Sequence, residues 1–272
     1  MLFAVSQVCC LNSPLETDVA DFAAGHCEAI EIWLTKLEAY LENHSLDDVK
    51  RLLEENEIKA PVASYQGGLL ITQGEARQEA WSLLDRRLKL CRDLGIETLV
   101  VAGDVVGPLT QQDLDRATAS LLQLAQAAEQ AGVRAALEFQ AKAVVGNNLL
   151  TAAAMVADTG NPWLGLCLDA FHYYVGPSQE SDLACLTTDN LFHVQVCDLA
   201  DTPREFAADS QRILPGDGDI PLGPIVERLA AIGYDRTVSI ELMNPQLWQV
   251  PALQMGEIGM TALRKVFGQA SM

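Results

Sequence analysis

The sequence predicts one α/β domain, a closed (β/α)8 barrel, and three observations lead to that prediction. The length of 272 residues suits one such barrel of about 250 residues better than the usual domain of roughly 150. Eight short apolar runs recur, most of them at a spacing that holds one strand, one helix and two loops. Segments of helical periodicity alternate with these runs, which indicates a parallel sheet with right-handed crossovers.

We expect residues 1–272 to form this one domain, because no linker or low-complexity tract divides them. An open doubly wound sheet has the same order of elements and is the alternative fold. Its dinucleotide-binding form is disfavoured, because no GxGxxG motif follows the first strand.

The apolar runs are the candidate strands. Runs of four to six apolar residues that end abruptly in turn residues are typical of strands buried on both faces. They begin near Leu2, Ala29, Ile58, Thr98, Ala135, Leu164, Leu191 and Val238.

The segments between the strands carry helix signals. The segment from Ser45 to Glu57 opens on a serine cap and places Val49 and Leu52 on one face. Four more helices are expected to close at glycine, the residue favoured just after a helix end. These glycines are Gly95, Gly132, Gly233 and Gly268.

Composition excludes several classes of partner. The formal charge is −19, from 18 basic and 37 acidic residues; such a surface repels nucleic acid and anionic lipid, and it also favours solubility. The seven cysteines form no CxxC motif, so we expect a reducing, cytoplasmic location. No apolar run reaches the roughly 18 residues of a membrane helix. We expect neither a nucleic-acid nor a membrane partner, and the sequence leaves a homo-oligomer open.

Four candidate strands end in oxygen-bearing side chains, namely Glu138, Asp169, Gln195 and Glu241. Carboxylates and amides that converge at one rim of a barrel form a site for a hard divalent cation such as Mg²⁺ or Mn²⁺. Three ionised carboxylates do not crowd together without a cation, because repulsion would protonate one of them. Each acid alone could be a strand-end residue or a helix cap, but their joint occurrence favours a metal site.

The motifs LGLCLDAFH, FHVQVCD, RILPGDGDI and VSIELMN resemble those of the xylose isomerase-like superfamily of sugar phosphate isomerases and epimerases, which are TIM barrels. The resemblance covers essentially the whole chain and includes AIEIW as the second strand. It implies a divalent metal held by Glu138, Asp169, Gln195 and Glu241.

One departure concerns the seventh strand, where many members of the family carry H-x-H and the second histidine binds the metal. This chain has His193 and Gln195 at those positions. Glutamine there is similar to the hydroxypyruvate isomerase branch and to some 3-dehydroshikimate dehydratases. A neutral oxygen donor disfavours zinc relative to Mn²⁺ or Mg²⁺. A three-metal endonuclease of the superfamily would need more than the four histidines present.

The resemblance also implies further site residues. His172, in the motif D-x-F-H, would contact substrate or transfer protons, although it could instead cap the following helix. Arg212 would bind substrate oxygens, or alternatively pair with Asp217 or Asp219. Glu31, Trp33 and His193 complete the substrate-binding candidates, and Trp33 could equally belong to the core.

The reaction implied by the resemblance is proton transfer beside a carbonyl of a sugar, a ketose or an α-hydroxy ketone. Glu138 and Glu241 would act as the acid/base pair on an enediolate, giving an isomerase or epimerase. A 3-dehydroshikimate dehydratase-like lyase, with His172 as acid/base, is the first alternative, and a catalytically silent binding barrel is the second. A phosphorylated substrate is disfavoured, because no glycine-rich phosphate cradle is present.

Overall fold

Eight parallel strands form a closed barrel in the computed structural model, which describes residues 1–268. Each strand pairs with the next along the chain, and the first also pairs with the last. The predicted fold class is therefore confirmed, and the open-sheet alternative is wrong. The strands are β1 Leu2–Ser6, β2 Ala29–Trp33, β3 Lys59–Gln66, β4 Thr98–Gly103, β5 Arg134–Phe139, β6 Leu164–Asp169, β7 Leu191–Val196 and β8 Thr237–Ile240.

Helices surround the barrel. They are α1 Leu15–Ala24, α2 Leu34–Tyr40, α3 Leu46–Glu55, α4 Gly74–Leu94, α5 Gln111–Ala131, α6 Leu149–Ala157, α7 Ala170–Val175, α8 Leu222–Ala231 and α9 Ala252–Gly268. Within the described residues, no helix is both long and apolar enough to cross a bilayer.

Local sequence signals fix several helix ends. Ser45 caps α3 by accepting from the Asp48 N–H at 3.2 Å, while Asp48 accepts from the Ser45 N–H. Gly95 and Gly132 follow α4 and α5 with φ of 75° and 69°, a conformation that costs glycine least. The last helix extends to Gly268, the final described residue, so its predicted end lies at the edge of the described chain.

Two apolar cores stabilise the barrel. The larger one lies between the strands and the helices and contains residues such as Phe22, Leu84 and Leu121. The smaller one fills the barrel interior and consists of Val62, Val100, Ala136, Cys167 and Phe192. Because its interior is packed in this way, the barrel is not an open channel from one end to the other.

The long segment between β7 and α8 folds back onto the end of β7. Asp198 and Ile213 exchange two backbone hydrogen bonds of 2.9 Å. The Asp198 side chain accepts from the N–H groups of Gly216 at 2.9 Å and Ile220 at 2.8 Å. This clamp fixes Arg212, the neighbour of Ile213, over the carboxyl ends of the strands.

Candidate active site

A cavity of about 260 Å³ opens at the carboxyl ends of the strands. Five of the polar residues predicted for the site line it directly: Glu138, His172, Gln195, Arg212 and Glu241. Asp169 lies at the same level, because it is paired with Gln195 across β6 and β7. The four strand-end side chains are therefore neighbours in the fold, as the sequence predicted.

Glu138, Asp169 and His172 form the tightest part of the site. Their potential ligand atoms all lie within 4.8 Å of one another. His172 Nε2 is 3.6 Å from Glu138 Oε1 and 3.8 Å from Asp169 Oδ2. Asp169 Oδ1 accepts from the Phe171 N–H at 2.7 Å, so this carboxylate caps α7 and orients the helix that carries His172.

Arg212 joins three carboxylates. Its Nη1 donates to Glu241 Oε2 at 2.9 Å, and its Nη2 lies 2.7 Å from Asp209 Oδ1 and 2.8 Å from Asp169 Oδ2. The last contact is an ion pair without hydrogen-bond geometry, since Asp169 Oδ2 has no hydrogen-bond partner in the described chain. The predicted alternative pairing of Arg212 with Asp217 or Asp219 is not observed; Asp217 instead lies 3.5 Å from Lys265.

Gln195 connects Glu241 to a deeper layer of the barrel. Its amide nitrogen donates to Glu241 Oε1 and Glu31 Oε1, both at 3.0 Å. Its amide oxygen lies 3.1 Å from the Cys167 Sγ. To present its oxygen to a cation beside Glu241, Gln195 would have to turn its amide over.

Glu31 and His193 lie beneath the cavity rather than in its wall. Both side chains have no exposed surface, and His193 Nε2 is 3.0 Å from Glu31 Oε2. Burial opposes ionisation of Glu31, but the adjacent His193 lowers the pKa of this carboxyl below its ordinary value. In this arrangement they support Gln195 from below, and direct contact with substrate would require a rearrangement.

The electrostatic environment separates the two candidate acid/base glutamates. Burial, followed by the charges of Glu241 and Asp169, raises the pKa of Glu138 well above its ordinary value. Burial also raises the pKa of Glu241, while Arg212 opposes that shift. The pKa of Glu241 is raised as well, but its hydrogen bonds from Arg212 and Gln195 stabilise its ionised form, and Glu138 has no such donors within the described chain.

His172 is held in its neutral form. Burial lowers the pKa of His172. The Ala141 N–H approaches its Nδ1 at 3.4 Å, which assigns the ring proton to Nε2. The N–H group then faces Glu138 and Asp169. The capping interpretation of His172 is not observed, since Asp169 supplies the cap of α7.

The donor set fits a divalent cation. Asp169 Oδ2 is a buried oxygen without a hydrogen bond. Burial and the neighbouring carboxylates of Glu241 and Asp169 raise the pKa of Glu138, and Arg212 only partly offsets them. Oxygen donors of this kind suit a hard cation, and an added positive charge would remove their repulsion. Glu138 and Asp169 are the residues best placed to hold it, with His172 beside them.

Sequence reasoning missed part of the cavity wall. Trp33 lines it as predicted, and its ring lies 5.2 Å from that of Tyr65. Asp104 and Gln140 follow β4 and β5, and Asp209 precedes Arg212 in the long loop. The same strand-end position that indicated Glu138 could have indicated Asp104, but the apolar run of β4 ends in glycine and offered no signal.

The fold and this cavity define a barrel enzyme with a carboxylate-rich centre, and comparison with known proteins specifies the family. The sequence profile of the xylose isomerase-like TIM barrel family matches residues 20–265. The chain belongs to this family, which confirms the resemblance predicted from its motifs.

Individual relatives agree with that assignment. An inosose isomerase of Halalkalibacterium halodurans is 30% identical over 247 residues, which cover 89% of this chain and 87% of the relative. A 3-dehydroshikimate dehydratase of Pseudomonas aeruginosa is 25% identical over 93% of this chain but only 40% of its own length. The crystal structure of an IolI protein with a bound zinc atom matches all of both chains, with 25% identity and a TM-score of 0.92. These relatives confirm that the chain is an enzyme and support the isomerase and epimerase class.

Proposed function

We propose that this enzyme is a divalent-metal-dependent isomerase or epimerase of polyhydroxy ketones, with an inosose as the first substrate to test. The inosose isomerases support the substrate class, because they match this chain over most of both lengths. The alternatives of the same class are open-chain ketoses and α-hydroxy ketones.

One observation carries the proposal: two buried glutamates in one cavity have different hydrogen-bond partners. Glu138 lacks a cationic hydrogen-bond partner, whereas Glu241 accepts from Arg212 at 2.9 Å. Glu241 is therefore the carboxylate that removes a proton from the carbon beside the carbonyl, and Glu138 is the acid that returns one. Return to the opposite face of the same carbon is epimerisation, and return to the neighbouring carbon is isomerisation.

Other residues of the cavity position Glu138 and Glu241. Arg212 orients the Glu241 carboxylate, and the neutral His172 donates from Nε2 toward Glu138 or a substrate oxygen. A divalent cation held by Glu138, Asp169, Glu241 and a reoriented Gln195 would polarise the carbonyl and acidify the adjacent C–H. The oxygen-rich donor set favours Mn²⁺ or Mg²⁺, and zinc, found in the IolI structure, is the competitor to include in tests.

The direct test is incubation of the enzyme with inosose and Mn²⁺ in deuterated water, followed by nuclear magnetic resonance. We expect a new ketone isomer and deuterium at the carbon beside the carbonyl. The absence of both, for inosose and for a panel of ketoses and hydroxypyruvate, would contradict the proposal.

Metal binding provides a prediction that does not depend on turnover. We expect Gln195→Ala to weaken Mn²⁺ binding roughly tenfold and Glu241→Ala by about a hundredfold, because the first removes a neutral group and the second a charge. Titration calorimetry on chelator-treated protein measures both. Gln140→Ala, which removes an amide from the cavity wall, is the matched control and should bind normally. Equal affinities for all variants would exclude these residues as ligands.

A dehydratase is the second candidate, favoured by the position of His172 3.6 Å from Glu138 and by the dehydratase relatives. In the isomerase, His172→Ala should reduce turnover about 10²-fold through weaker positioning of groups. In a dehydratase it should be as damaging as loss of Glu241, because His172 would transfer the proton. Steady-state rates of the two variants distinguish the isomerase from the dehydratase. His44→Ala, at an exposed position, is the control and should keep the native rate. An ultraviolet-absorbing product from 3-dehydroshikimate, without isomerisation of any ketone, would replace the first candidate by the second.

A further inference from the structure

We propose that Asp104 makes this cavity selective for uncharged polyhydroxy ligands and excludes those that carry a carboxylate or phosphate on the side away from Glu241. The inference deepens the proposed function and rests on it for the orientation of the ligand. Asp104 directly follows β4, which lies opposite β8 in the ring of eight strands. The side chain therefore stands across the cavity from Glu241.

The backbone is built to hold this carboxylate at the cavity wall. Asp104 Oδ2 accepts from the Gly68 N–H at 2.7 Å. A Cβ atom at Gly67 would lie 2.8 Å from the same oxygen, so only glycine fits there without a shift. Gly68 has φ of 74°, which suits glycine best. Two consecutive glycines thus bring the β3 loop around one side of Asp104.

No lysine or arginine side chain of the cavity wall is available to neutralise Asp104. Among the described residues, Asp104 makes no ion pair, and Arg212 is the only arginine or lysine that lines the cavity. Arg212 is committed to Glu241, Asp169 and Asp209 on the opposite side. A ligand anion that approached Asp104 would therefore meet a carboxylate without a counterion.

The neighbouring wall has the chemistry of a polyol subsite. Trp33 and Tyr65 form a tilted pair with ring centroids 5.2 Å apart, and Tyr65 is 43% exposed. Aromatic faces pack against the C–H groups of a ring, while a carboxylate at the edge accepts hydrogen bonds from hydroxyls. Burial raises the pKa of Asp104, and the hydrogen bond from the Gly68 N–H opposes that shift.

The test compares two ligands of equal ring size, neutral myo-inositol and the carboxylate quinate, by calorimetry. Mn²⁺ is present at one concentration throughout, so that its attraction for quinate is the same in every variant and the change of preference reports Asp104. We expect the native protein to prefer myo-inositol. Asp104→Asn keeps an oxygen for the Gly68 N–H but removes the charge, so the preference should fall about tenfold, the size of one screened charge interaction. The myo-inositol affinity itself should change less than about threefold, because an acceptor remains.

Controls separate charge from structure. Asp201→Asn removes one exposed charge from the long loop and should leave the preference unchanged. In the native protein, raising the salt concentration should by itself reduce the preference for myo-inositol over quinate. Salt screens the repulsion between the quinate carboxylate and the partly exposed Asp104. If Asp104→Asn misfolds, Asp104→Ser, which also removes the charge and keeps an oxygen near the Gly68 N–H, takes its place.

This test can fail while the proposed isomerase activity holds, and the reverse is also possible. An Asp104→Asn variant with the native preference, a salt-independent preference, or no binding of myo-inositol would overturn the inference even in an active inosose isomerase. A changed preference in a protein that isomerises no ketone would leave the selectivity intact and remove the proposed function alone.

Discussion

Glu241→Gln is expected to lower turnover by about 10³-fold, within the range of general acid–base catalysis, and to leave the fold intact. The substitution keeps the shape of the side chain and an acceptor for Arg212, whose Nη1 now lies 2.9 Å from Glu241 Oε2. It removes the basic oxygen that would take the proton from substrate. Glutamine cannot replace it, because an amide does not accept that proton at neutral pH.

Two measurements on this variant identify the role. Incorporation of solvent deuterium into the substrate should fall as far as turnover does, because both need the same proton removal. Binding of myo-inositol should persist within about tenfold, since the polar contacts remain. The matched control is Glu227→Gln on the exposed face of α8, which should be fully active. Rapid deuterium exchange in a Glu241→Gln protein would assign the base to another residue.

Most of the fold could be predicted from the sequence, because the buried strands of a parallel barrel are short apolar runs that are easy to recognise. Each apolar run is hydrophobic on both faces and stops where the chain returns to the surface. The strand-end acids followed from the same signal, because the carboxyl ends of parallel strands meet at one rim. Asp169 and Gln195 are directly paired as this reasoning requires.

Depth within the barrel was harder to predict than position along it. Side chains two residues apart on a strand point the same way but occupy different layers. His193 therefore lies one layer below Gln195, and Glu31 one layer below Trp33, so that the two meet under the cavity. The sequence made both Glu31 and Trp33 substrate-binding candidates, because it showed that they share a face of β2 but not how far each lies from the cavity.

Long-range pairing was the other missing information. Arg212 lies 43 residues after Asp169, with α7 and β7 between them, and it belongs to a loop without a regular pattern. Its contacts depend on the clamp formed by Asp198 and Ile213, which joins two segments that are distant in sequence. The sequence therefore offered only Asp217 and Asp219, acids of the following turn, as alternative partners of Arg212.

Arg212→Met is expected to give the largest change in stability. The side chain of Arg212 is 1% exposed and contacts three carboxylates, with its guanidinium 4.4 Å from the Phe171 ring. Methionine preserves much of the volume but leaves Asp169 and Glu241 buried without their cation. Breaking such a buried pair costs about 3–5 kcal/mol, which lowers the melting temperature by roughly 10 °C in a chain of this size.

A divalent cation should reverse part of that loss, because it replaces the missing positive charge. The melting temperature is measured by calorimetry in chelator and again with an excess of Mn²⁺, because a ligand stabilises the folded state more as its concentration rises above its dissociation constant. We expect Mn²⁺ to stabilise Arg212→Met more than the native protein, since Arg212 no longer competes for Asp169 and Glu241. Arg264→Met, at an exposed position of α9, should melt like the native protein in both conditions. A destabilised Arg212→Met variant that does not respond to Mn²⁺, Mg²⁺ or Zn²⁺ would mean that these carboxylates need the guanidinium alone, and the proposed metal site would be lost.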